Sequence, residues 1–331
     1  MTSPAGRSDS DPRRLLLVSP PPRLVAEATE AGFHILTVTD TDGFPDDESL
    51  RAYLAQTART HRVSRMIACG EAAALPAVLE TAERLSLSPN PAALPCLLAD
   101  PERIRGLLTR SGPQWEAVAL PAEARDGSLS YDVEYGVETL TAEGMHRVTG
   151  IVELSSTGPD GPRAGSEPGP GDGGGPGAAG AERGGTPVHT FPAPLTGQEE
   201  AEIRALATGL LDLAGYEFGY AFTRIAQTGQ GLRIINSLTR QSCRPASRLI
   251  ELTTGLVPER ELVRALSGKP MEAPVLVGCA SAVPLPDASR VPQGITALDG
   301  VREVRDGHVV LTALTPAQLA RCTAAVLDRL A

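Results

Sequence analysis

The chain has 331 residues, is 41% hydrophobic but only 3% aromatic, and carries a formal net charge of −10. That length can bury a large core and build two or three subdomains. The acidic balance excludes a general nucleic-acid binder, which leaves a basic footprint, and disfavours an anionic membrane surface. No apolar run reaches membrane-spanning length, no signal segment opens the chain, and the five cysteines show no CxxC spacing. Those features point to reduced thiols in a cytoplasmic protein, with no metal held by Cys and His.

Residues 1–12 are polar and rich in Pro, Gly and Ser, as a disordered tail is. Leu15–Val18 reads as a strand and Arg23–Ala31 as a helix behind three prolines, which cannot present a row of phosphate-binding N–H groups. His34–Thr39 is a second strand. Asp46, Asp47 and Ser49 cap a helix carrying Leu50, Tyr53 and Leu54. Arg65–Cys69 is a third strand, and Glu71–Leu85 a helix with Leu75, Val78, Leu79 and Ala82 on one face. This strand–helix alternation predicts a parallel sheet. Asp100–Gly112 is a further helix, after which Trp115 is expected to be structural and Val118–Leu120 a short strand remnant.

From Tyr131 to Leu154 the residues alternate as two strands around an Ala142-Glu143-Gly144 turn. Glu134 and Glu138 fall on one face, two pleats apart. They could form an acid pair near a ligand or belong to a solvated face. Thr157–Thr186 is Gly/Pro-rich, lacks apolar periodicity, and is expected to be disordered. Thr196 and Glu199 make a capping-box pattern for a helix closing at Gly215. Phe222 to Gln227 alternates as a strand, Thr228–Gly231 is a turn, Leu232–Asn236 is the paired strand, and Leu249–Thr253 is a helix ended by Gly255. Beyond it come a helix from Pro258, strands at Val275–Cys279, Val301–Val304 and Val309–Leu311, and a helix from Pro316. Lys269, the only lysine among 30 basic residues, sits where a helix-end charge would.

The stretch Gly215–Gly255 resembles the catalytic end of the ATP-grasp carboxylate–amine ligases, particularly those that join amino acids. Setting Thr223 on the family threonine places Arg240 on the family arginine and Leu249–Gly255 on the following helix without a gap. Looser likenesses extend to the Pro/Ala-rich helix after Cys69, to the helix at Asp100, to the strands of Tyr131–Leu154, and to HTFPAPL at His189–Leu195. The last of these makes the 157–186 tract an expanded loop inside one domain. His189 could face a ligand or serve as a structural histidine. The resemblance implies an α/β fold: an N-terminal parallel-sheet (pre-ATP-grasp) domain over 13–97, then a connecting helix and remnant of the central lobe over 98–130. A truncated ATP-grasp half with an antiparallel sheet follows over 131–331. Between the Asp100 helix and Tyr131 the chain is too short for the strand pair, flap and hinge that bind nucleotide in the family.

The resemblance also implies where the chemistry would lie. The family's magnesium-holding Glu, Glu and Asn fall on Arg224, Asn236 and Leu238. Mg²⁺ takes oxygen ligands in near-octahedral geometry, and arginine and leucine supply none. The reading that follows is a degenerate member without independent ligase activity, needing no cofactor. It would bind a small carboxylate or amino-acid-like molecule, or a protein partner such as an active ligase, and homo-oligomerisation stays open. Arg240 and Arg224 would then form an anion site, unless both pair with neighbouring acids. The alternative is an active ligase using ATP and Mg²⁺, with Arg240 at the reaction and Asn236, Glu138 or Glu134 holding the metal.

Overall fold

The computed structural model describes residues 13–69, 75–121, 133–157, 186–240, 245–288 and 290–330. The chain divides into two compact units. The first comprises residues 1–94 with 259–271, and the second residues 95–258 with 272–331.

The first unit is a three-stranded parallel sheet, order β2-β1-β3, of β1 (Arg14–Val18), β2 (His34–Val38) and β3 (Arg65–Ala68). β1 is the central strand, and the solid apolar run Leu15–Val18 follows from burial on both faces. On one side Leu16 and Val18 pack against Leu50 and Leu54 of α2 (Asp47–Thr60) and Val78 and Ala82 of α3 (Leu75–Arg84). On the other, Leu15 and Leu17 meet Leu24 and Ala28 of α1 (Pro22–Glu30) together with Val263. Pro22 opens α1 at its first turn, and Asp46 caps α2 by accepting from the Ser49 N–H at 2.7 Å.

The division differs from the one read in the sequence. The boundary falls at Leu94–Pro95 rather than after residue 97. The helix Pro258–Leu266, expected within 131–331, lies almost wholly with the first unit: Val263, Leu262 and Leu266 cover the second face of the parallel sheet. Two ion pairs join that helix to α1, Arg260 with Glu27 and Arg23 with Glu259. That face of the sheet, carrying Leu15 and Leu17, is thus closed by α1 and this helix together.

The second unit starts in α4 (Leu94–Ala99) and continues through α5 (Pro101–Arg110) and α6 (Pro113–Glu116). Trp115 is structural, as expected. Its ring lies on Gly209 so closely that a Cβ there would come within 2.9 Å of Cζ2. The centre is an eight-stranded antiparallel sheet, order β10-β11-β9-β6-β5-β4-β7-β8. Its strands are β4 (Val133–Ala142), β5 (Met145–Thr157), β6 (Thr186–Phe191), β7 (Phe218–Thr228), β8 (Gly231–Leu238), β9 (Cys279–Pro284), β10 (Val301–Arg305) and β11 (His308–Ala313). One face carries α7 (Gly197–Ala214) and α10 (Pro316–Leu330), the opposite face α8 (Ala246–Thr254). The helix Pro258–Leu266 is α9.

The expected local signals are present. Thr196 and Glu199 form a reciprocal capping box on α7, and Gly215 and Gly255 end α7 and α8 at φ +70° and +71°. Residues 158–185 lie outside the described residues. Their flanks are nevertheless adjacent, because Thr157 is the register partner of Thr186. Among the described residues, a single four-residue helix and a lone parallel bridge, Ala119 to Ile234, stand between α5 and residue 121. One strand expectation fails: β9 begins at Cys279, and Val275, Leu276 and Val277 are solvent-exposed and outside any strand, the Val277 N–H donating to the Thr253 carbonyl at 2.8 Å. No helix among the described residues is long and apolar enough to cross a membrane. Of the described cysteines, Cys279 and Cys322 are buried, Cys96 is exposed, and none is in a disulfide; Cys243 lies outside the described residues.

Candidate functional site

The face of the large sheet that meets α8 gathers nearly all the residues singled out in the sequence. In register, Gly136 pairs with Arg224 and Glu138 with Phe222 across β4 and β7, while Arg224 pairs with Asn236 and Phe222 with Leu238 across β7 and β8. Side chains two apart share a face, so Glu134, Glu138, Phe222, Arg224, Asn236 and Leu238 all point to one side. The three positions that the resemblance grouped, Arg224, Asn236 and Leu238, therefore share one face. Arg240 lies on the bend beyond the end of β8, half-buried and off the ladder, so it is not part of this row.

Arg224 reaches one pleat diagonally across β7 and β4 to clamp Glu134. Its Nε donates to Oε1 and its Nη2 to Oε2, the latter at 2.9 Å. Glu134 is 1% exposed, while the Arg224 side chain keeps 22% of its surface. A carboxylate buried to that degree needs a partner, and the two-pronged guanidinium contact is the geometrically favoured one. Of the two readings left open for Arg224, the pairing with a neighbouring acid is the one present.

The two acids are not a solvated face, since Glu138 is wholly buried. Thr149 donates to the Glu138 backbone carbonyl at 3.2 Å and to its Oε1 at 3.4 Å. Between the two acids stands Gly136, and over it lies the ring of Phe222. A Cβ on Gly136 would sit 2.7 Å from Cε2 and closer still to Cζ. Phe222 continues into an apolar cluster with Val152, Phe191, Leu249 and Ile250. Gly150 plays the matching part on β5, where a Cβ would lie 2.6 Å from Ile250 Cδ1 and 2.9 Å from Phe191 Cε2. α8 is thus seated directly on the sheet. Arg248 adds a tether from α8 to β10, donating from Nε to Glu303 at 2.7 Å, with Glu251 3.1 Å from Nη1. Those partners, Glu303 first, raise the Arg248 pKa.

Two polar groups border the ion pair. Asn236 Oδ1 is buried and has no hydrogen-bond partner among the described residues. His189, on β6, is opposite Leu154, which is itself opposite Glu134. Its pKa is lowered to about 4, first by burial and then by the positive fields of His308 and Arg224. A ring in that setting is neutral at pH 7.

The residues do not fit Mg²⁺. Of the three positions, one is a cation and one is apolar, and Asn236 alone offers an oxygen. Glu134 is occupied by Arg224. Among the described residues, no three His, Cys, Asp or Glu side chains converge as a metal site.

Phe222, Gly136 and the Glu134–Arg224 contact were not legible beforehand. The partners of that ion pair are 90 residues apart, and only the opposite charges hinted at it.

No protein-family profile matches the chain, and no curated protein matches it in sequence. Solved structures do share its architecture, which is the ATP-grasp fold. An L-amino acid ligase from Bacillus licheniformis superposes with a TM-score of 0.67 at 14% identity, over 96% of this chain and 97% of the other. An N5-carboxyaminoimidazole ribonucleotide synthetase from Thermotoga maritima gives 0.63 at 11% identity, over 96% and 98%. A glycinamide-RNase-transformylase T from Mycobacterium tuberculosis gives 0.62 at 15%, over 96% and 100%.

Proposed function

We propose that this protein uses the ATP-grasp fold without ligase chemistry of its own, as a binding protein for a small carboxylate or amino-acid-like anion. The observation that carries the reading is the Glu134–Arg224 ion pair. An active ligase of this fold needs acidic side chains free to hold a divalent cation on the nucleotide phosphates, where charge moves during acyl-phosphate formation. Here the candidate acids are engaged within the protein, Glu134 by Arg224 and Glu138 by Thr149. The sheet between them is filled by Phe222. The short connection between α5 and β4 supports the same reading, since it holds no described lobe to close over a nucleotide. With Arg224 committed to Glu134, Arg240 is the arginine assigned to the anion.

The test is a melting assay with ATP and Mg²⁺, followed by a screen of anionic metabolites. A ligand at a hundred times its dissociation constant stabilises a fold by about 2.7 kcal/mol, which for a unit of this size is a rise of roughly 5–10 °C. Essentially no rise is expected with millimolar ATP–Mg²⁺, and no ADP release on adding amino acids. Carboxylates should raise the melting point of the unaltered protein and lose that effect in Arg240→Ala. A magnesium-dependent rise with ADP release would establish the active ligase instead. Retention of every carboxylate effect in Arg240→Ala would remove the anion site, and a companion protein would then be the occupant to seek.

A further inference from the structure

We infer that the guanidinium of Arg224 is a resident cation, a positive group supplied by the chain itself to surroundings that stabilise positive charge. The surroundings of the guanidinium are those of a cation site. Glu134 turns both carboxylate oxygens to it while 1% exposed. Asn236, its register partner on β8, carries a buried amide oxygen with no hydrogen-bond partner among the described residues. His189 is on the same face, opposite Leu154, which is itself opposite Glu134, and burial holds its ring neutral at pH 7. A carboxylate, an amide oxygen and an uncharged imidazole are all groups that stabilise positive charge.

The physical reason for a tethered cation is the burial of Glu134. An isolated carboxylate in that position would carry a large desolvation penalty, and a counter-ion drawn from solution would have to be bound anew each time the chain folds. A guanidinium on the neighbouring strand is present at an effectively fixed local concentration. It is charged at every physiological pH, and its planar fork matches both carboxylate oxygens. Arg224 and Asn236 also stand where the sequence resemblance puts two carboxylates that hold magnesium. The chain thus fixes a monocation on β7 at a position where the resemblance implies a divalent ion. The ligand class for the vacated site follows: guanidinium itself, or a small divalent cation.

This inference rests on the reading that no ATP–Mg²⁺ chemistry runs on this face, but its test uses no nucleotide, so the two can fail separately. The experiment is thermal unfolding of the full chain carrying Arg224→Ala, alone and with millimolar guanidinium or Mg²⁺, against sodium chloride at equal ionic strength. The variant is expected to melt roughly 10 °C below the unaltered protein, because it leaves a buried carboxylate without its partner. Guanidinium or Mg²⁺ should recover at least half of that loss, and sodium chloride should recover little. The unaltered protein should not respond, and adding Glu134→Gln to Arg224→Ala should abolish the recovery. A variant that melts with the unaltered protein, recovery by sodium chloride as full as by guanidinium, or recovery that survives Glu134→Gln would each overturn the inference. If Arg224→Ala does not accumulate, Arg224→Lys and Arg224→Met are compared. The lysine variant, still tethering a cation, should melt several degrees above the methionine one, and equal melting points would overturn the inference as well.

Discussion

Replacing Gly136 with alanine puts the packing of the site to the most direct test. The new Cβ would lie 2.7 Å from Phe222 Cε2 and nearer to Cζ, where carbon atoms pack comfortably at about 3.5–4.0 Å. The ring has little room to move: Phe222 is 4% exposed and packed among Val152, Phe191, Leu249 and Ile250. On backbone grounds alone, alanine in a strand interior would gain about 0.5–1 kcal/mol over glycine. Forcing an extra carbon into a full core costs about 1–3 kcal/mol, and the depth of this overlap puts it at the upper end. The expected net loss is about 2 kcal/mol, or a melting point lower by roughly 4–8 °C for a unit of this size. Urea and thermal unfolding would measure it, in a cycle with Phe222→Leu, which removes the Cε and Cζ atoms. In that background Gly136→Ala should be close to neutral, giving a coupling of about 2 kcal/mol between the two sites. A stable Gly136→Ala, or losses that simply add, would refute the placement of the ring over the glycine.

Two further outcomes are expected. Residues 158–185 can be replaced by a short Gly/Ser turn, since Thr157 and Thr186 are already register partners; closing the shorter loop favours folding by about 1–2 kcal/mol, so soluble yield and melting point should hold or rise, and a collapse would show that the tract packs. Acid should destabilise the protein through His189, whose folded pKa of about 4 lies below the unfolded value near 6.5. The unfolded chain binds the proton first, so this contribution is complete above pH 6.5 and is lost as pH falls toward 4, by up to about 3 kcal/mol. His189→Gln should flatten unfolding free energy over that window, and an unchanged slope would mean that the ring is not held neutral by burial.

What the sequence determined by itself is the set of features whose cause is local. The capping box of Thr196 and Glu199, the left-handed ends at Gly215 and Gly255, and the Glu143-Gly144 turn each depend on a few consecutive residues and on φ values that few side chains accept. Alternation likewise marked β7 and β8 as strands, while it was the resemblance that grouped Arg224, Asn236 and Leu238, which the pairing of the two strands puts on one face. The strand–helix order of the first unit was readable for the same reason. Tertiary structure alone decided which distant surfaces meet. Arg224 had two prospects, an incoming anion or a neighbouring acid, and the pairing of β4 with β7 brings Glu134 within reach from 90 residues away. The same pairing laid Phe222 over Gly136, so that Glu134 and Glu138, alike in the sequence, became two separate buried groups. α9 joined the first unit because Val263 completes, beside Leu24 and Ala28 of α1, the apolar cover over Leu15 and Leu17. Charge, volume and unburied apolar area are balanced over the whole fold, and no window of consecutive residues contains that balance.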